Sequence, residues 1–236
     1  MQPMNKNVLF FESKLKIMKK FTFVFLFILI ADVVARAMQP DWQIAEYIFK
    51  PLLMISLGYY FIGSTILRGG RTDQFVFAAI IFSLLGDVFL MFEGYFIQGL
   101  GAFLIAHIFY ILAFRPEAVR FFSKKELYLP ALVVLIYGVI LLGIVLPNVG
   151  SALKIPITVY SLTILTMLMM ALHRFENVSS ESFWYVIIGA SLFVISDSMI
   201  AISKFVTPFP MAGVLIMATY GVGQYLIIEG FLKNKK

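Results

Sequence analysis

Eight runs of predominantly apolar residues follow one another along the 236-residue chain, at 20–38, 48–67, 74–92, 96–114, 127–146, 153–172, 183–203 and 212–232. A helix rises 1.5 Å per residue, so about 20 residues cross a hydrocarbon core of about 30 Å. Lipid offers no partner to backbone N–H and C=O groups, and a crossing segment must satisfy its own, as a helix does. The pattern predicts an all-α polytopic membrane protein, a bundle of eight transmembrane helices. Composition excludes a soluble alternative: 61% of residues are hydrophobic and 14% are charged, against about a quarter charged in a soluble domain. Only short loops remain between the runs. Residues 18–236 are therefore expected to form a single eight-helix transmembrane domain, with 1–17 an N-terminal extension or an interfacial helix.

A net charge of +6 raises nucleic acid as a partner in a soluble protein, but here it orders the loops. With the N-terminus taken as cytoplasmic, 15 of the 19 Lys and Arg residues fall on that side. Basic residues collect in cytoplasmic loops, so both termini are expected inside, with no nucleic-acid partner. Residues 18–37 resemble a secretory signal peptide, with Lys19 and Lys20 ahead of an apolar run and Ala35-Arg36-Ala37 behind it. Asp32 and Arg36 interrupt that run, which favours a retained first helix. A multi-pass protein of a bacterial inner membrane is the expected setting. Cysteine is absent and there are two histidines, which removes disulfides, thiolate chemistry and thiolate-held metals.

Ionisable groups inside hydrocarbon are costly, so each is a candidate functional residue. These are Asp32 and Arg36 in the first run, Lys50 in the second, Asp87 in the third and His107 in the fourth. The seventh run carries Asp197 and Lys204, and the eighth Tyr220, Gln224 and Glu229. Asp87 and Asp197 each fall about 14 residues into their runs, roughly 21 Å above the inner edge. Two carboxylates at one depth can meet. Arg36 and Lys204 lie near helix ends and are expected to snorkel to the interface, while Glu229 and His173 are expected to be solvated. Ser83 with Asp87, and Tyr220 with Gln224, are four apart and share helix faces. Gly99, Gly101, Gly213, Gly221 and Gly223 are expected to let neighbouring backbones approach.

Two carboxylates in a low-dielectric site cannot comfortably ionise together, so they hold one proton between them. Such a pair suits a reaction needing an acid and a carboxylate base at once. No cofactor or metal is expected: catalytic zinc takes three protein ligands, and one histidine at most is deep in the bilayer. The Gly-x-Gly-Asp pattern of intramembrane aspartyl proteases fails, because Leu84 stands where glycine is required.

The chain resembles the YhhN-like lysoplasmalogenases. The resemblance is carried by Lys50-Pro51-Leu52, by residues 83–87 (Ser-Leu-Leu-Gly-Asp), and by 101–107 (Gly-Ala-Phe-Leu-Ile-Ala-His) with Tyr110. It continues through 192–198 (Leu-Phe-Val-Ile-Ser-Asp-Ser) and 220–227 (Tyr-Gly-Val-Gly-Gln-Tyr-Leu-Ile). It implies hydrolysis of the vinyl ether bond of lysoplasmalogens to a fatty aldehyde and a glycerophospho-choline or -ethanolamine, with the catalytic aspartates at Asp87 and Asp197. A vinyl ether resists bases but yields to acid, and the logic parallels two-carboxylate glycoside hydrolysis. Which aspartate is the acid stays open at this stage. The lysophospholipid would come from the bilayer, with Lys50 facing its phosphate, helped by Lys204 or Arg36. His107, Ser196, Tyr220 and Gln224 would support the reaction. A proton-coupled transporter of a lipid or amphiphile is the alternative that the same residues would serve.

Overall fold

The computed structural model describes residues 6–65, 70–115 and 125–234, with side chains described from Lys20 onward. Eight α-helices account for most of them: α1 (Lys6–Ala37), α2 (Gln43–Thr65), α3 (Arg71–Leu90), α4 (Phe96–Phe114), α5 (Tyr128–Val145), α6 (Ser151–His173), α7 (Ser180–Phe205) and α8 (Ala212–Leu232). Short 3-10 turns flank α5, and there is no strand among the described residues. Six helices, α3 to α8, are long and apolar enough to cross a membrane by length and composition. In α2 the buried Glu46 and Lys50 dilute the apolar content, and in α1 Lys20, Asp32 and Arg36 do so.

The outside of the bundle is apolar. Phe23, Phe27, Ile44, Leu135 and Ile155 are each more than 60% exposed, an arrangement that water would penalise and lipid accepts. Chain punctuation is local. Ser179 Oγ accepts from Ser182 N and opens α7, and Gly94 at φ 85° turns the chain between α3 and α4.

Small residues set the tightest crossings. A Cβ on Gly189 would lie 2.7 Å from Gly223 O, and one on Gly223 would lie 2.9 Å from Gly189 O, so α7 and α8 touch backbone to backbone. Gly86 accommodates the Phe103 ring and Gly99 the Leu90 side chain, closing α3 onto α4; Gly221 accommodates Leu29 of α1. Gly101 faces open space instead. It lies one residue off the buried stripe of Gly99, Ala102, Phe103 and Ala106, so its expected packing role is not seen. Among these helices α5 is the most peripheral, with Gly138 and Val145 its buried residues.

Candidate functional site

Polar side chains fix how α3, α7 and α8 are aligned. Tyr220 OH donates to Asp87 Oδ2 at 2.6 Å, and one turn away Gln224 Nε2 donates to Ser83 Oγ at 3.1 Å. The order of these two rungs makes α3 and α8 antiparallel. Ser182 Oγ donates to Gly230 O and Ser196 Oγ to Ile216 O, which makes α7 and α8 antiparallel as well. Hence α3 and α7 point the same way. Asp87 lies about 24 Å and Asp197 about 26 Å from the first residues of their helices, at 1.5 Å per residue.

The two aspartates line one cavity of about 230 Å³, together with Arg36, Lys50, Ser196, Lys204 and Tyr220. Asp87 is 2% exposed and has a counter-ion, Lys50 Nζ, at 3.7 Å. Asp197 accepts a hydrogen bond from Tyr160 OH. Each carboxyl thus has one oxygen tied by a tyrosine hydroxyl, and the other oxygen of Asp87 faces Lys50. Lys204 sits over the Phe96 ring at 4.5 Å, at the cavity's edge. Arg36 pairs with Glu46 at 2.6 Å and with Asp32 at 3.4 Å, so it is held in the bundle by two buried carboxylates rather than extended to the interface.

Two further spaces adjoin this cavity. A narrow apolar compartment of about 60 Å³ lies between α4, α5, α6 and α7, and it shares Asp197, Phe103, Phe96 and Ile200 with the central one. α5 bounds it, tied to α7 by Tyr137 OH donating to Ser198 Oγ at 2.6 Å. On the other side a polar vestibule of about 490 Å³ shares Arg36 and Leu90.

His107 and Gln224 stand behind the cavity wall. Gln224 accepts from Tyr110 OH at 2.6 Å while it donates to Ser83, and so fixes the level of α8. His107 is fully buried, edge-on to Tyr160 and Phe193, with no hydrogen-bond partner at either ring nitrogen among the described residues. It shapes the rings on which the cavity rests. Glu229 and His173 are buried rather than solvated; for Glu229 the reason is that α8 packs against α2 and brings Tyr60 OH to Glu229 Oε1 at 2.8 Å. Sequence reasoning missed Tyr160. Its signal, a tyrosine deep in an apolar run, is shared by Tyr59, Tyr60 and Tyr137. Among the described residues no group of three or more His, Asp or Glu side chains is placed to hold a metal ion.

Comparison with known proteins gives these positions a context. Bovine (Bos taurus) lysoplasmalogenase TMEM86A is 30% identical over 204 residues, covering 84% of this chain and 81% of the relative. Human (Homo sapiens) lysoplasmalogenase TMEM86B is 31% identical over 196 residues, covering 83% and 78%. A lysoplasmalogenase of Mycobacterium tuberculosis is 30% identical over 172 residues, 71% of this chain and 64% of the relative. No solved structure matches. The YhhN family model matches residues 45–231, from the second helix through the eighth and across every cavity-lining residue except Arg36. The chain belongs to the YhhN family.

Proposed function

We propose that this protein is a membrane-embedded hydrolase that cleaves the vinyl ether bond of lysoplasmalogens, with Asp87 and Asp197 as an acid–base pair. One observation carries the reading: a buried and a half-buried carboxylate from parallel helices line a single cavity between an apolar compartment and a cationic patch. The relatives named lysoplasmalogenase support the reaction class. The first carbons of an alkenyl chain would enter the apolar side, and the phosphate would face Lys50 and Lys204, with Arg36 at the edge of the same cavity.

The reaction needs a proton on the outer carbon of the enol ether. Asp87 has Lys50 as counter-ion, and Asp197 has a neutral tyrosine hydroxyl. A single shared proton then belongs on Asp197, which makes it the acid. Proton transfer from Asp197 to carbon yields an oxocarbenium ion, which the carboxylate of Asp87 stabilises across the cavity. Asp87 next takes a proton from water as its oxygen adds to the cationic carbon. The resulting hemiacetal collapses when its hydroxyl proton moves to the glycerol oxygen, releasing a fatty aldehyde and a glycerophospho-alcohol. Moving the proton from Asp87 back to Asp197 restores the pair.

Asp87→Asn and Asp197→Asn test this directly. Amide replaces carboxyl at nearly equal volume, so the fold persists while proton transfer stops. Aldehyde release from lysoplasmalogen by purified protein in detergent should fall by at least about 100-fold in each variant. A variant that keeps a tenth of wild-type turnover removes that residue from the chemistry. Tight lipid binding with no aldehyde from the wild type would favour the transporter.

A further inference from the structure

The polar vestibule lies where α2 begins and α3 ends. Its walls include Arg36, Glu46, Tyr47, Phe92 and Glu93. Charge changes sign along the path that leads to it. The apolar compartment meets Asp197, the central cavity presents Lys50 and Lys204, and the vestibule presents Glu46 and Glu93. Its one cation, Arg36, is already engaged by two carboxylates, Asp32 and Glu46. Among the lining residues two carboxylates, Glu46 and Glu93, stand against one guanidinium, so the vestibule carries excess negative charge. On α2, Glu46 stands one turn from Lys50, about 6 Å along the axis.

A zwitterionic lysophospholipid has the same order: chain, enol ether, phosphate, and then a cationic nitrogen two carbons beyond the phosphate. We infer that the vestibule is a headgroup subsite that selects a quaternary ammonium, an inference that rests on the lysophospholipid reading above. Two features separate a quaternary from a primary ammonium. First, Glu46 already accepts hydrogen bonds from Gln39 Nε2 and pairs with Arg36, so it offers charge but few free lone pairs. A primary ammonium brings three N–H donors that need acceptors, whereas a trimethylammonium brings none. Second, the Tyr47 and Phe92 rings meet at 41° with centroids 5.8 Å apart, forming an angled aromatic surface in the vestibule wall. Methylated ammonium groups bind to such ring faces when negative charge is close by.

The test separates binding from turnover. Saturated 1-O-alkyl lysophospholipids lack the double bond that is protonated, so they bind without being cleaved. Calorimetric titration of purified protein in detergent should show the phosphocholine ether binding roughly three- to tenfold tighter than the phosphoethanolamine ether. Phe92→Leu and Glu93→Gln, both on exposed side chains, should each shrink that ratio, while Tyr47→Phe, which keeps the ring, should preserve it. Equal affinities, an ethanolamine preference, no binding of either ether, or a ratio untouched by both substitutions would overturn the subsite. Cleavage of lysoplasmalogens without headgroup preference rejects the subsite and leaves the hydrolase standing. Preferential binding of the choline ether with no cleavage of any lysoplasmalogen does the reverse.

Discussion

At the scale of single residues, the carboxylates and Tyr220 were legible in the sequence, and Tyr160 was not. An aspartate in the middle of an apolar run is rare, because lipid makes it costly, and so Asp87 and Asp197 stand out. Tyrosine is amphipathic and common here, with 11 in the chain, so nothing marks Tyr160 as the residue that meets Asp197. Tyr220 stands out as a polar group in the eighth run that shares a face with Gln224 and opens the 220–227 motif. Each hydroxyl fixes a carboxyl rotamer, and a hydrogen bond to a charged group contributes about 1.5–3 kcal/mol. Tyr160→Phe and Tyr220→Phe should therefore lower kcat by about 10- to 100-fold. Both are positioning residues, so KM and the melting temperature in detergent should hardly change. A loss confined to KM, or unfolding of both variants, would assign them to substrate binding or to packing instead.

At the scale of helices, apolar runs located the bundle and failed where charge and helix coexist. The expected runs 96–114 and 212–232 coincide with α4 and α8, and the others from α2 to α7 differ by a few residues at their ends. The first helix starts at Lys6 rather than near residue 20, because lysine and glutamate form helices well while they mask hydropathy. Glycine was harder to read. Its presence permits close approach, but only the neighbouring helix decides whether that permission is used. Gly189, which no sequence pattern singled out, abuts the backbone of Gly223, whereas Gly101 abuts nothing. Gly189→Ala must push α7 from α8, at a cost of about 1–3 kcal/mol, and should lower the melting temperature and displace Asp197. Gly101→Ala, in open space and with a better helix former, should leave stability equal or slightly higher. If Gly189→Ala melted no lower than Gly101→Ala, the glycine crossing would not set the spacing of α7 and α8.

At the scale of the whole molecule, the parallel course of α3 and α7 gives the paired-depth reading a structural basis, since carboxylates on antiparallel helices at these positions would lie at opposite faces of the bilayer. Charge bears on which face the vestibule opens to: the basic residues concentrate toward the end of the bundle away from Lys50 and Asp87. Five of them, Arg68, Arg120, Lys124, Lys235 and Lys236, lie outside the described residues. If all eight helices span and both termini are cytoplasmic, the vestibule would open outward, and the proposed lysolipid headgroup would reach it from the outer leaflet. The chain has no cysteine, so single introduced thiols report position cleanly. Gly150→Cys, between α5 and α6, should react with a membrane-impermeant maleimide in intact cells. Asn177→Cys, between α6 and α7, should react only after the membrane is opened. These loops flank a single helix, and α6 cannot expose both ends to one side if it spans. Labelling of both thiols from outside would remove α6 from the set of spans. The inverse pattern would turn the vestibule to the cytoplasm and make the inner leaflet the source of substrate.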